Sequence, residues 1–328
     1  MRPPFFNAAW HLSARGFTLV EMVIALTLLS LLATVAIPML RMPMTAYMEA
    51  SARARVTTNL DWVQSKLTAD FSTALPNSVR VRNVGNRYFI EFLQVHAQGR
   101  YLAGNPLVAV PACPLTPSCT ATPDELAFST SAACTDTCFM SLGDVTPVGN
   151  AAVVNGSDFV VVSPTNTTGL TGDPYANAAL PAVQSIKSRL VSLAAWNATR
   201  RGRQITMAPN TFPNIPAPGE SPRIKRFYMI ASSPVTYACD ITSGTLTRYS
   251  GYNILPVQPV AFGGGVQAVP LATNIACNIT SVASTLEPTG MRGRGGLVTI
   301  KMTLSAPVPA GGIPEQAELI FSVGANDG

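Results

Sequence analysis

The hydrophobic pattern changes period twice along the chain. From Phe17 to Ile37 the positions are almost continuously apolar, over about the ~20 residues that a membrane-spanning helix requires. Proline removes a helical hydrogen bond and crowds the preceding turn, so Pro38 predicts a helix break, with Pro43 as a second interruption. From Thr45 to Leu75 the pattern becomes amphipathic. Met48, Ala52, Val56, Leu60, Val63, Leu67, Phe71 and Leu75 recur at steps of three or four, and Arg53, Arg55, Asp61, Lys66 and Asp70 mostly fall elsewhere. This predicts a helix over 45–75 that lays an apolar stripe on a globular domain and stops at Pro76.

Beyond Pro76 the period shortens to that of strands. Val79-Arg80-Val81-Arg82 alternates, Gly85-Asn86 is a turn pair, and Arg87 to Leu93 returns, so a hairpin is expected over 78–95. Arg80 and Arg82 read as its solvated face. The stretch 104–150 is rich in Pro, Thr, Ser and Cys and reads as a long tethered loop region. A buried strand is expected at Asp158–Ser163 and a short helix at Ser185–Trp196, with Ile186, Leu190, Leu193 and Ala194 on one side. Further strands are expected at Arg203–Met207, Arg226–Ala231, Val235–Asp240, Leu246–Tyr252, Leu297–Leu304 and Glu318–Val323. The predicted class is α+β: a long N-terminal helix, part membrane and part amphipathic, packed on an antiparallel sheet with an enlarged β-rich head, its C-terminal part spanning 200–328.

Charge changes this picture at one point. Glu21 is the sole ionisable residue between Phe17 and Ile37. A carboxylate at hydrocarbon depth costs roughly 2.5–3.5 kcal/mol on insertion scales and by default marks function. Ahead of it stands a basic leader carrying Arg2 and Arg15 and no acid. A secretory signal would be cut after its apolar core, whereas here the small residue, Gly16, precedes the core. An ordinary signal anchor with a stray Glu is the plainer reading.

Gly16-Phe17-Thr18-Leu19-Val20-Glu21 closely resembles the processing motif of type IV prepilins. The resemblance implies a leader at 1–16, an assembly helix at 17–43 and a periplasmic pilin-like head at 44–328. It implies cleavage after Gly16 by a membrane peptidase, N-methylation of Phe17, and use of Phe17 and Glu21 in assembly. A proline 22 residues into the mature chain, here Pro38, also matches that family. Scattered segments, among them Ala74 to Val81, Pro234 to Cys239 and Leu246 to Tyr252, resemble the minor pilins of mannose-sensitive haemagglutinin (MSHA) pilus biogenesis. The partners implied are other pilins and minor pilins, prepilin peptidase, the inner-membrane assembly platform and the membrane. The location implied is the bacterial inner membrane with a periplasmic head, then the pilus or cell surface. Type II secretion minor pseudopilins share the N-terminal chemistry, and a tip adhesin or DNA-binding minor pilin is a further alternative.

Composition restrains the rest. Of 328 residues 12% are charged and 47% hydrophobic, with 27 Pro and 24 Gly, which suits a loop-rich β-containing domain. Net charge is +5, and removal of the leader brings it to +3, too little to call for nucleic acid. The six cysteines lie after residue 112, as in an oxidising compartment. Local spacing suggests Cys113–Cys119, Cys134–Cys138 and Cys239–Cys277, though six cysteines allow 15 pairings. No Cys-x-x-Cys spacing supports zinc.

Catalysis lacks its usual residues: of two histidines His11 lies in the leader, leaving His96, which reads as a surface or packed residue. No enzyme activity and no cofactor are expected. Asp124-Glu125 and Glu315/Glu318 are weak acid–base candidates. Asp124, Glu125, Asp136 and Asp144 could converge on calcium, without a recognisable ligand loop. Gly290 to Gly296, with Arg223, Lys225 and Arg226, could form a basic patch, but the loop lacks a P-loop's Lys-Ser/Thr and reads as a turn between strands.

Overall fold

The computed structural model describes residues 18–102, 125, 126, 128, 136–162, 164, 172–176, 185–210, 212, 224–273, 276–283, 298–306 and 315–323, the last three stretches by backbone alone. The chain divides into two compact units, residues 1–55 and 56–328. One helix, α1 (Leu19–Ser72, 54 residues), contributes to both. It is a single element where two were expected. Its helical assignment continues through positions 38 and 43, because a proline deletes only one hydrogen bond of a long ladder whose turns on either side persist.

α1 is followed in chain order by β1 (Arg80–Val84), β2 (Arg87–Phe92), β3 (Val95–Leu102), β4 (Asp136–Met140), β5 (Thr146–Pro147) and β6 (Phe159–Val162). Then come β7 (Lys187–Leu193), β8 (Gln204–Asn210), β9 (Ile224–Ile230), β10 (Val235–Asp240), β11 (Thr245–Ser250) and β12 (Gln267–Ala272). The last described strands are β13 (Ala276–Ala283), β14 (Val298–Ala306) and β15 (Glu315–Val323). They form a five-stranded sheet β1-β2-β10-β11-β12, a seven-stranded sheet β4-β8-β7-β6-β9-β3-β5 and a three-stranded sheet β13-β14-β15. The strand pairs within them are antiparallel. The architecture is α+β with a β-rich head, as the residue pattern predicts.

The amphipathic stripe meets the five-stranded sheet. Leu60, Val63, Leu67 and Phe71 of α1 share a buried cluster with Ile90, Phe92, Val235, Tyr237 and Leu246. The Phe71 and Phe92 rings lie 4.7 Å apart. At ~1.5–3 kcal/mol per buried side chain, those four helix residues supply roughly 6–12 kcal/mol of gross stabilisation. Met48, earlier on the same predicted stripe, is 58% exposed and belongs to the other unit. Past Ser72 the Thr73 hydroxyl and N–H donate to the Asp70 carbonyl, and Asn77 takes φ 57° after Pro76.

The hairpin forms as expected about Gly85-Asn86, with Gly85 at φ 59°, a conformation that suits glycine. The seven-stranded sheet holds a second cluster on one face, including Ala97, Tyr101, Val160, Leu190, Phe227 and Met229. Gly99 lets the Phe227 ring lie across β3, since a Cβ there would meet that ring at 2.6 Å. The predicted helix over Ser185–Trp196 is instead β7. The four-residue spacing of Ile186 and Leu190 fits either period, but the two enter separate buried clusters, and Ser188 between them is buried with its hydroxyl donating to the Ala208 carbonyl. Strands β3, β4, β5, β12 and β13 lie where no strand was predicted, β4 and β5 inside the supposed loop region.

Candidate functional site

The N-terminal site is built from the first turn of α1. The Thr18 hydroxyl accepts a hydrogen bond from the Glu21 backbone N–H at 3.3 Å, and Met22 N–H donates to the Thr18 carbonyl at 3.1 Å. Thr18 is therefore the N-cap and Glu21 the third helical residue, a Thr-x-x-Glu arrangement that places the carboxylate at the positive end of the helix dipole. Sequence reasoning took Thr18 only as part of the motif, although the spacing itself signals a cap.

Downstream, Leu19–Ile37 is long and apolar enough to cross a membrane, and none of it is buried within the chain. Its hydroxyls are satisfied inside the helix: Thr27 donates to Ile24 O (2.9 Å), Ser30 to Thr27 O (2.8 Å) and Thr34 to Leu31 O (2.7 Å). Glu21 is thus the one side chain of this apolar stretch whose polar atoms require something outside it. Among the described residues no cation pairs with its carboxylate. Gly16 and Phe17 lie outside the described residues.

Residues 12–37 match the family model of the prokaryotic N-terminal methylation motif. This motif, joined to a membrane-length apolar helix, supports a type IV pilin-like subunit that is processed by prepilin peptidase and anchored in a membrane. No curated protein and no solved structure matches the chain.

The head contains a second acidic site on the same helix. Asp70 is buried and accepts hydrogen bonds from the Tyr237 hydroxyl (2.6 Å), Arg248 Nε (2.6 Å) and Lys66 Nζ (3.0 Å). Burial pushes its carboxyl up, but the hydrogen bonds from Tyr237, Arg248 and Lys66 outweigh it and hold the group below its ordinary value. The arrangement fastens α1 to β10 and β11.

Arg80 does not belong to a solvated face. It pairs with buried Glu91, its register partner across the hairpin, through two contacts of 3.1 Å, and donates to the Leu255 and Pro256 carbonyls. Its guanidinium sits 3.6 Å from the centre of the Tyr175 ring. Burial pushes the Glu91 carboxyl up to about 7 despite Arg80. Arg82 donates to the Gln258 carbonyl at 2.8 Å, so both arginines secure the segment after β11. Lys187 is also buried, which pulls its ammonium down to about 8, and it donates to the Pro174 carbonyl.

The remaining candidates are dispersed. His96 Nδ1 lies 2.7 Å from Asp158 Oδ2, and Asp158 also accepts from Val154 N–H. Asp136 accepts from the Cys138 N–H on β4, while Asp144 is engaged by Arg203 at 2.5 Å. Asp124 lies outside the described residues, and among those described no three His, Cys, Asp or Glu side chains group as metal ligands. Cys138 and Cys239 are disulfide-bonded, and no described cysteine is free. Cys113, Cys119 and Cys134 lie outside the described residues, and Cys277 is placed by its backbone on β13. Arg223 and the Gly290 to Gly296 loop are likewise outside them, the loop falling between the paired strands β13 and β14.

Proposed function

We propose that the chain is a minor, non-enzymatic type IV pilin subunit, cleaved after Gly16, N-methylated at Phe17, and incorporated into or priming an MSHA-type pilus in the manner of MshO. The observation that carries the reading is the match over residues 12–37 laid on a capped apolar helix whose single acid, Glu21, has no cation among the described residues. Cleavage after Gly16 would create a cation four residues ahead of Glu21: the amine of Phe17. Pairing that amine with Glu21 of a neighbouring subunit satisfies both groups in lipid and sets an axial register between helices. Weakening of the helix at Pro38 would let it extend on packing.

The large head favours a low-copy position near the tip. Cys113–Cys119, Cys134–Cys138 and Cys239–Cys277 are the proposed disulfides, consistent with Cys138 and Cys239 being bonded. Glu21→Gln tests the assembly step. The expected result is normal processing with loss of the subunit from sheared filaments, and unchanged incorporation would count against it. Deleting the gene separates the pilus reading from a type II secretion pseudopilin: the first predicts lost adhesion with intact secretion, the second the reverse.

A further inference from the structure

Strands β3 and β9 carry two arginines at one register position. Arg100 stands directly opposite Arg226 in the antiparallel ladder, and like charges so placed destabilise a sheet. The opposite face of both strands is packed, with Ala97, Tyr101, Phe227 and Met229 in the buried cluster of the seven-stranded sheet. The two arginines therefore project together from a rigid platform. They line a pocket of about 380 Å³, at the small end of the roughly 300–1,000 Å³ typical of ligand sites.

The rest of the lining suits an oxyanion. Gln98 and Thr146, register partners across β3 and β5, supply neutral hydrogen-bonding groups. Asp144 is the one acid among the described residues of the lining. Its Oδ1 accepts from Arg203 Nε at 2.5 Å and from Val145 N–H at 2.8 Å. The Arg203 hydrogen bond, with the backbone one from Val145, holds this carboxyl below its ordinary value, so it is ionised but already neutralised by a third guanidinium. Exposed Arg100 thus gives the pocket a positive charge that Asp144 does not cancel. The wall is fixed by Leu142 N–H donating to the Arg100 carbonyl at 2.7 Å and Arg203 N–H donating to the Ser141 hydroxyl at 2.8 Å.

We propose that the Arg100–Arg226 pocket binds a single oxyanion group, the phosphate or carboxylate of a small molecule or of an acidic sugar. Planar guanidinium forks match such groups with paired hydrogen bonds. A compact pocket suits one such group better than a nucleic acid backbone, which requires cations spread along a groove. The site is independent of the assembly reading, because it lies in the head and involves neither Phe17 nor Glu21.

Isothermal titration of the full-length protein in non-ionic detergent tests it, with inorganic phosphate, glucuronate and neutral glucose as probes. Arg226 makes a further contact of its own, so exposed Arg100 is the cleaner position to change. The expected result is binding of phosphate, glucuronate or both, none of glucose, and roughly tenfold weaker affinity in Arg100→Gln. Asp144→Asn should tighten binding by removing the acid from the lining, and added salt should weaken it. Stronger binding of phosphate than of glucuronate points to a phosphoryl ligand, and the reverse order to an acidic sugar. No anion binding, or equal binding by Arg100→Gln, overturns the proposal. So does tight binding of a short DNA duplex that phosphate does not displace, which would indicate an extended nucleic acid surface instead.

Discussion

Glu21 and Asp70 are two acids on one helix, each set among apolar residues, and they are treated in opposite ways. Asp70 receives three donors from its own chain and fastens α1 to β10 and β11. Glu21 has no cation among the described residues, and its surroundings, Leu19–Ile37, bury nothing within the chain. The stripe around Asp70 follows the same division: Leu60, Val63, Leu67 and Phe71 are buried against the sheet. One helix thus carries a completed interface and an uncompleted one. The first has its partner in the head, and the second requires lipid and another cation.

The largest expected effect breaks the uncompleted half. Glu21→Gln should nearly abolish recovery of the subunit in filaments, read by immunoblot of the sheared fraction, while leaving the melting temperature of the head unchanged. Asp70→Asn should do the converse. It leaves half-buried Arg248 without its full counter-charge, at a cost of about 1–3 kcal/mol, read by denaturant unfolding. Leu67→Ala should cost about 2–5 kcal/mol, whereas Leu28→Ala, of the same chemistry on the exposed apolar stretch, should leave head stability within about 0.5 kcal/mol. Equal effects of those two leucine changes would erase the distinction between the halves.

The smallest effect is in pH. Asp70 is held below its ordinary value of 3.8, so its contribution is present above that value and is lost as pH falls through the lower folded value. Glu91 is raised from 4.5 to about 7, so its contribution is full below 4.5 and is lost as pH rises toward 7. Head stability should therefore decline from pH 4.5 to 7 through Glu91, and fall below pH 3.8 through Asp70. Glu91→Gln should flatten the upper limb and Asp70→Asn the lower, each followed by thermal unfolding across pH.

Local features were legible in the sequence and long-range ones were not. The cleavage motif, the apolar span and the Leu60–Phe71 stripe are contiguous or strictly periodic, so each could be read without knowing the fold. The Thr18 cap was equally readable from Thr-x-x-Glu spacing. The Arg80–Glu91 pair was within reach too, because a turn at Gly85-Asn86 sets those two residues opposite each other. β7 was misread because the spacing of Ile186 and Leu190 fits both periods. The Asp70 anchor and the Arg100–Arg226 opposition depend on bringing together elements more than a hundred residues apart, which no local pattern encodes.

The central claim is that Glu21 receives its cation only when the chain is cut before Phe17. Intact mass and the N-terminal peptide of envelope-extracted protein, from strains with and without prepilin peptidase, test it most directly. The account predicts a chain beginning at N-methyl-Phe17 in the first strain and one retaining residues 1–16 in the second. Retention of residues 1–16 in both would contradict it and leave an ordinary signal anchor.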